Sequence, residues 1–255
     1  MTLKTFAAAF LAVCCTVAAA TLATHRPTAV AVAVVPAADD LVAYGERLVT
    51  QTYAEIGPDT GKPFAGNRLA CQNCHLDAGL KRSAVPLVGV DKSYPKFSAR
   101  SGRTITLVER IDECMTRSMN GRPLPEDSRE MAAFLAYIRS LDGPAAVQLP
   151  PAPPSPAPAD VARGTEIYAR VCAVCHQPHG LGKRVGQGYE FPPLWGPDSY
   201  NDGAGMDHFH RAVGFVQRNM PRGVDPDHPQ LTLQEAWDVV AFLQSRPRPH
   251  YQAAP

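Results

Sequence analysis

An all-α fold made of two tandem copies of one small domain is what the sequence predicts, and three observations carry that reading. The pattern Cys-x-x-Cys-His occurs twice, at Cys71-Gln72-Asn73-Cys74-His75 and Cys172-Ala173-Val174-Cys175-His176, with 101 residues from the first Cys to the first Cys of the second. A helical pattern leads into each copy and an amphipathic one closes each half, while no run alternates convincingly as a strand. A proline-rich stretch, residues 144–158, parts the two halves; it cannot donate backbone hydrogen bonds regularly and favours extended geometry, as an interdomain linker does.

Taken in order, the chain opens with Met1-Thr2-Leu3-Lys4, an apolar run from Thr5 to about Ala20 and the small-residue exit Ala18-Ala19-Ala20. That is the pattern of a secretory signal, so residues 1–38 are expected to be a signal peptide and a flexible apolar lead. Alanine and valine continue to Ala38, which leaves an uncleaved membrane anchor as the alternative. Cys14 and Cys15 are read as small apolar members of the signal core. The first domain is expected over 39–143. It starts with a helix over 39–56 that carries Gly45, continues through a loop from Gly57 to Ala70, and ends in a helix from Arg129 to Leu141. The second domain is expected over 159–246. Its first helix, 159–171, carries Gly164 and has Asp160 as N-cap, and its last runs from Gln234 to Ser245. Residues 247–255 form a tail. Aromatic residues are only 7% of the chain, which suits small domains where a bound ring system supplies part of the apolar core.

The two pentapeptides carry the chemistry. Paired thiols at this spacing form thioether bonds to the vinyl groups of a haem, and the adjacent histidine coordinates its iron. Cys71, Cys74, Cys172 and Cys175 are therefore assigned to two covalently attached haem c groups, with His75 and His176 as proximal ligands. A zinc site would need two further Cys or His ligands near each motif, and none stands at close spacing. The order helix, Cys-x-x-Cys-His, long Gly- and Pro-rich loop, ligand, helix is that of a class I cytochrome c domain. Of seven cysteines, two fall in the signal and four hold haem, so Cys114 is left without an intramolecular partner.

The distal ligands are expected to differ. Met220 lies 44 residues after His176, in Arg218-Asn219-Met220-Pro221, and His/Met ligation raises reduction potential and suits electron transfer. Met206, His208 and His210 compete with it. At the matching place in the first half, 39 residues after His75, stands Cys114. Phe134 is 20 residues beyond Cys114 and Phe242 is 22 beyond Met220, so the repeat sets a thiol where the other half has a thioether. The alternative is an inert buried Cys114 with Met115 or Met119 as ligand. On a helix, Arg110, Cys114 and Ser118 share one face. With Arg100, Arg103 and Arg117 they make cationic surroundings that favour a thiolate and match the geometry of an oxyanion.

At these residues the chain resembles the dihaem thiosulfate dehydrogenases. The likeness rests on Cys71 to His75, on Cys114-Met115-Thr116-Arg117-Ser118-Met119-Asn120-Gly121, and on Phe191-Pro192-Pro193-Leu194-Trp195-Gly196 followed by Ser199-Tyr200-Asn201 and Gly203-Ala204-Gly205-Met206. It covers roughly Leu41 to Arg246. The resemblance implies a periplasmic oxidoreductase that joins two thiosulfates into tetrathionate, in a reaction that can run either way. It also implies His/Cys ligation at the catalytic haem, with Arg100, Arg110 and Ser118 binding substrate beside Cys114. Two electrons would leave through the second haem to an external carrier, a small cytochrome or an iron–sulfur protein. One departure is Asn219, where some relatives have a lysine that offers a second ligand; an amide supplies no amine. Two other readings remain open at this point: a dihaem electron-transfer cytochrome without substrate chemistry, and a Cys-ligated haem subunit of a sulfur-oxidising complex. A net charge of +1 gives no basis for nucleic-acid binding, and membrane contact is expected only if the N-terminal segment is retained.

Overall fold

The computed structural model describes residues 38–145 and 152–252. The expected signal segment, 1–38, therefore lies almost wholly outside the described residues, as do Cys14, Cys15 and residues 146–151 of the expected linker. Among the described residues eight α-helices follow one another: α1 (Ala38–Thr50), α2 (Thr52–Glu55), α3 (Leu107–Arg117), α4 (Arg129–Ser140), α5 (Val161–Ile167), α6 (Ala173–His176), α7 (Phe209–Asn219) and α8 (Leu233–Gln244). No helix among the described residues is long and apolar enough to cross a membrane.

The same frame is built twice. In the first half α1 packs on α4, and in the second α5 packs on α8. Both crossings are close because a glycine sits at each. A methyl group on Gly45 would lie 2.1 Å from the Ala133 carbonyl oxygen, and one on Gly164 would lie 2.0 Å from that of Asp238. Only a residue without a Cβ lets two helix backbones approach so far. The first core gathers Leu48, Val49, Ile56, Met131, Phe134 and Tyr137 around that crossing. The second gathers Ile167, Tyr168, Trp195, Val239 and Phe242, with Tyr168, Trp195 and Phe242 in mutual ring contact.

Capping explains the helix starts. Thr106 and Glu109 form a reciprocal box at α3, as do Thr232 and Glu235 at α8. Asp160 caps α5 by accepting from the amides of Ala162 and Arg163. The expected helix over 39–56 breaks at Gln51 into α1 and α2. The one over 159–171 runs through a wide turn, Tyr168–Cys172, directly into α6 and the haem motif.

Two short antiparallel hairpins depart from a purely helical expectation: β1 (Lys96–Ser98) with β2 (Arg103–Ile105), and β3 (Lys183–Val185) with β4 (Gly188–Phe191). Strands this short leave no legible alternation in the sequence.

The halves are clipped together by amides. Asn67 and Asn120 donate to the Ser199 carbonyl at 3.4 and 2.6 Å, and Asn201 donates to the Thr116 carbonyl at 2.9 Å. The Arg68 amide donates to Asp198 at 3.2 Å.

Two outcomes follow from this frame. Gly164→Val forces a branched side chain into the α5–α8 crossing and should cost about 2–4 kcal/mol. For a chain of this size that is a fall of about 5–15 °C in Tm by calorimetry; an unchanged Tm would show that the crossing is not tight. Asp238, 1% exposed, accepts from Arg163 at 2.8 Å, from the Asp160 amide at 2.8 Å and from Gln234 at 2.9 Å. Burial pushes its carboxyl up, but Arg163 and the other donors outweigh it and hold it below the usual carboxylate range. A depressed folded pKa stabilises at neutral pH, and that contribution is lost as pH falls through it. The Tm deficit of Asp238→Ala should accordingly be large at pH 7 and shrink in acid below the ordinary carboxylate pKa; a deficit independent of pH would refute the assignment.

Candidate active site

The first haem motif is docked on the end of α1. Thr52 is fully buried; its hydroxyl donates to the Leu48 carbonyl at 2.6 Å and accepts from the Cys71 amide at 3.1 Å. Gln72 donates to the Thr50 carbonyl at 2.8 Å, and Asn73 accepts from the Ala70 amide at 2.7 Å. A turn over Cys71–Asn73 then brings the His75 amide onto the Cys71 carbonyl at 2.9 Å.

Each motif histidine meets a main-chain carbonyl through Nδ1: His75 with Val85 at 2.6 Å and His176 with Pro192 at 2.8 Å. A carbonyl only accepts, so Nδ1 carries the proton and Nε2 keeps its lone pair for a metal. Burial holds His176 below its ordinary pKa, which also favours the neutral ligand form. Val85 takes φ = 48°, a conformation costly for a β-branched residue, so the His75 acceptor is built on a strained backbone.

Burial pushes Cys71 up to about 11, Cys74 to about 12 and Cys172 to about 11, where a reactive thiol would be depressed. None of the five described cysteines is in a disulfide. Among the described residues no three His, Cys, Asp or Glu side chains converge to cage a bare metal ion. Two buried guanidinium nitrogens, Arg117 Nε and Arg248 Nη1, have no protein partner. Arg248 packs on the Tyr200 ring at 4.5 Å, and the Arg117 main-chain carbonyl accepts from the Asn201 amide at 3.2 Å. Acidic groups such as haem propionates would satisfy donors of this kind. Thiol pairs, oriented imidazoles and guanidinium nitrogens left without a protein acceptor together fit haem c.

Cys114 behaves differently from the other thiols. It lies on α3, with its Sγ within hydrogen-bonding reach of the His75 ring. Burial alone would push it up; the Arg110 guanidinium and then His75 outweigh that and bring it down to about 7. Arg110 is in turn held above its usual range, first by the charge of Cys114, and it pairs with Glu113 at 2.8 Å. The charge of Cys114 is also felt at Cys71 and Cys74, so three thiols and His75 share one locus. Met115 and Met119, the rival ligands on this helix, are 1% and 3% exposed within the apolar core. Ser118 closes α3, its amide donating to the Cys114 carbonyl at 2.9 Å.

Positive charge reaches this locus from both halves. Arg100, at the tip of the β1–β2 hairpin, meets His208 Nε2 at 2.7 Å, at the start of α7. Burial lowers the Arg100 pKa, and the neighbouring Arg117, Arg110 and Arg211 lower it further. Arg211 is itself lowered by burial and by Arg110. Arg117 turns away along the interface, stacking on Tyr251 at 4.1 Å. Spacing pointed to Arg110, Cys114 and Ser118 along one helix; the contributions of Arg211 and His208 came from a distant part of the chain and left no local signal.

Met220 closes α7, its amide donating to the Val216 carbonyl at 2.9 Å. The residue stands in extended conformation just past the last turn of α7, so an eleven-residue amphipathic helix delivers it. Of its competitors, Met206 packs with Val213 and Val240. His210 meets Trp237 edge-on at 5.0 Å between ring centres, and His208 is taken up by Arg100.

Residues 62–142 match the family described as SoxA/TsdA, cytochrome c domain, and residues 161–247 match cytochrome c. The chain is 41% identical to a thiosulfate dehydrogenase of Stutzerimonas stutzeri over 81% of its own length and 69% of that protein. It is 40% identical to a thiosulfate dehydrogenase of Allochromatium vinosum over 82% of its length and 78% of that protein. A solved thiosulfate dehydrogenase (TsdBA) from Marichromatium purpuratum aligns at a TM-score of 0.76 and 34% identity, covering 84% of this chain and 47% of that one.

Proposed function

The chain belongs to the thiosulfate dehydrogenase family, tandem cytochromes c with two covalently bound haem c groups, and from that premise we propose that it oxidises thiosulfate to tetrathionate at Cys114. The observation that carries the reading is the setting of Cys114, on α3 within hydrogen-bonding reach of His75 and beside Arg110, which bring its thiol down to about 7 while Cys71 and Cys74 are pushed up. His75 with Cys114 and His176 with Met220 are the ligand pairs of the two haems. Each haem, when bound, supplies a one-electron acceptor, so the two match a two-electron oxidation.

Arg100, Arg110 and Ser118 hold the first thiosulfate with its terminal sulfur toward Cys114 Sγ. A bond between the two sulfurs forms with loss of two electrons and leaves an S-thiosulfonate on Cys114. The second thiosulfate attacks the outer sulfur of that linkage; the new sulfur–sulfur bond completes tetrathionate, and Cys114 leaves as thiolate. Two thiosulfate dianions thus become one tetrathionate dianion and two electrons. Bringing two dianions together is opposed by repulsion on the order of several kcal/mol even with partial screening. The cations of the first half, joined by Arg211 from the second, offset it where charge is greatest. Electrons leave through the second domain to an external carrier, a small cytochrome or an iron–sulfur protein. The reaction takes place in the periplasm, with the N-terminal segment as export signal.

Purified protein mixed with thiosulfate should show reduction of haem absorbance and formation of tetrathionate; a relay cytochrome would show neither, and a subunit of a larger sulfur-oxidising complex would form no tetrathionate alone. Cys114→Gly should abolish turnover while both haems remain attached, and near-normal oxidation by that variant would sink the assignment. Arg110→Met and Arg100→Met should each lower kcat/KM for thiosulfate by about 10- to 100-fold, the scale of a charge-assisted hydrogen bond. Variants that keep full kcat/KM would remove these cations from substrate binding.

A further inference from the structure

Asn219 is buried to 1% exposure, and its side chain is not used by the chemistry above. Its carbonyl oxygen accepts from the Ser83 hydroxyl at 2.8 Å, and its amide donates to the Ser83 carbonyl at 2.9 Å and to the Phe215 carbonyl at 3.0 Å. Both N–H groups and the oxygen are therefore engaged. The bond to Phe215 caps the last turn of α7. The other two reach the first domain, to the loop that follows His75. Ser83 stands two residues before Val85, whose carbonyl accepts the His75 Nδ1 proton. Met220 stands one residue after Asn219. A single buried carboxamide thus lies between the acceptor of one proximal histidine and the thioether of the other domain.

We propose that Asn219 is a positioning residue that clamps the Met220 end of α7 to the His75 loop through Ser83, and so holds the thioether on the second iron. This deepens the reading above and rests on its assignment of Met220 as distal ligand. A helix cap alone would need only Phe215; the two bonds to Ser83 tie the ligand's position to the other domain. A hydroxyl in the first domain then affects how firmly methionine binds iron in the second. Breaking one buried hydrogen bond weakens such an equilibrium by about tenfold, and breaking three weakens it more.

The test uses the oxidised holoprotein and reads the near-infrared sulfur-to-iron band that marks methionine ligation, the midpoint potential of the second haem, and the apparent Kd for added imidazole, which competes with the methionine. Met220→Ala identifies the band. With the clamp in place, Ser83→Ala should weaken the band, lower the potential and tighten imidazole binding by about tenfold, with Asn219→Ala stronger in the same direction. Ser83→Ala keeps the main-chain acceptor, so it preserves the fold if Asn219→Ala does not. If Met220→Ala removes the band while Ser83→Ala leaves band, potential and imidazole affinity unchanged, the clamp is wrong and the ligand assignment stands. If Met220→Ala keeps the band, the ligand assignment fails and the clamp falls with it.

Discussion

In each half the first and last helices cross where a glycine lets one backbone rest on the other, Gly45 over the Ala133 carbonyl and Gly164 over that of Asp238. Everything that positions a haem motif is referred to those two crossings. The end of α1 carries Thr52, whose hydroxyl receives the Cys71 amide, and α5 runs on through a wide turn into Cys172 and His176. Move the crossing and the thiols move with it. The motif histidines are then locked by main-chain carbonyls rather than by side chains, so their orientation depends on backbone alone.

On that shared frame the two halves separate by the company of one sulfur each. Met220 closes a helix, its amide donating to the Val216 carbonyl. Cys114 sits beside a half-buried guanidinium and an imidazole, the surroundings that turn a thiol into a nucleophile. Cations from both halves meet near it. In the proposed reading the first half performs sulfur chemistry that the second could not, while the second offers a higher-potential exit that a thiolate ligand would not supply.

Much of this was legible in the sequence because it is encoded locally. The motif pentapeptides, the orphan Cys114, the N-cap Asp160 and the paired glycines are each read from a few neighbouring residues, and the matching spacings to Cys114 and Met220 come from counting. The family resemblance added the substrate class, which spacing alone does not carry. What escaped was non-local or too short. Strands of three or four residues hold too few positions to alternate. Arg211 and His208 reach the Arg100 side only because the domains are folded together. Asn219 reads as a polar loop residue until burial and its three hydrogen bonds to carbonyls and hydroxyl are seen.

The amide clips between the halves, Asn67 and Asn120 on the Ser199 carbonyl and Asn201 on that of Thr116, have a consequence for timing. Hydrogen bonds from a planar carboxamide to a fixed carbonyl are directional, so they accept one docking register and penalise its neighbours. Electron tunnelling between two centres decays exponentially with their separation. In the proposed reading a contact that looks like mere adhesion therefore also sets a clock: by favouring one register, these few asparagines fix the interval between the two halves, and with it the pace at which charge would move from one to the other.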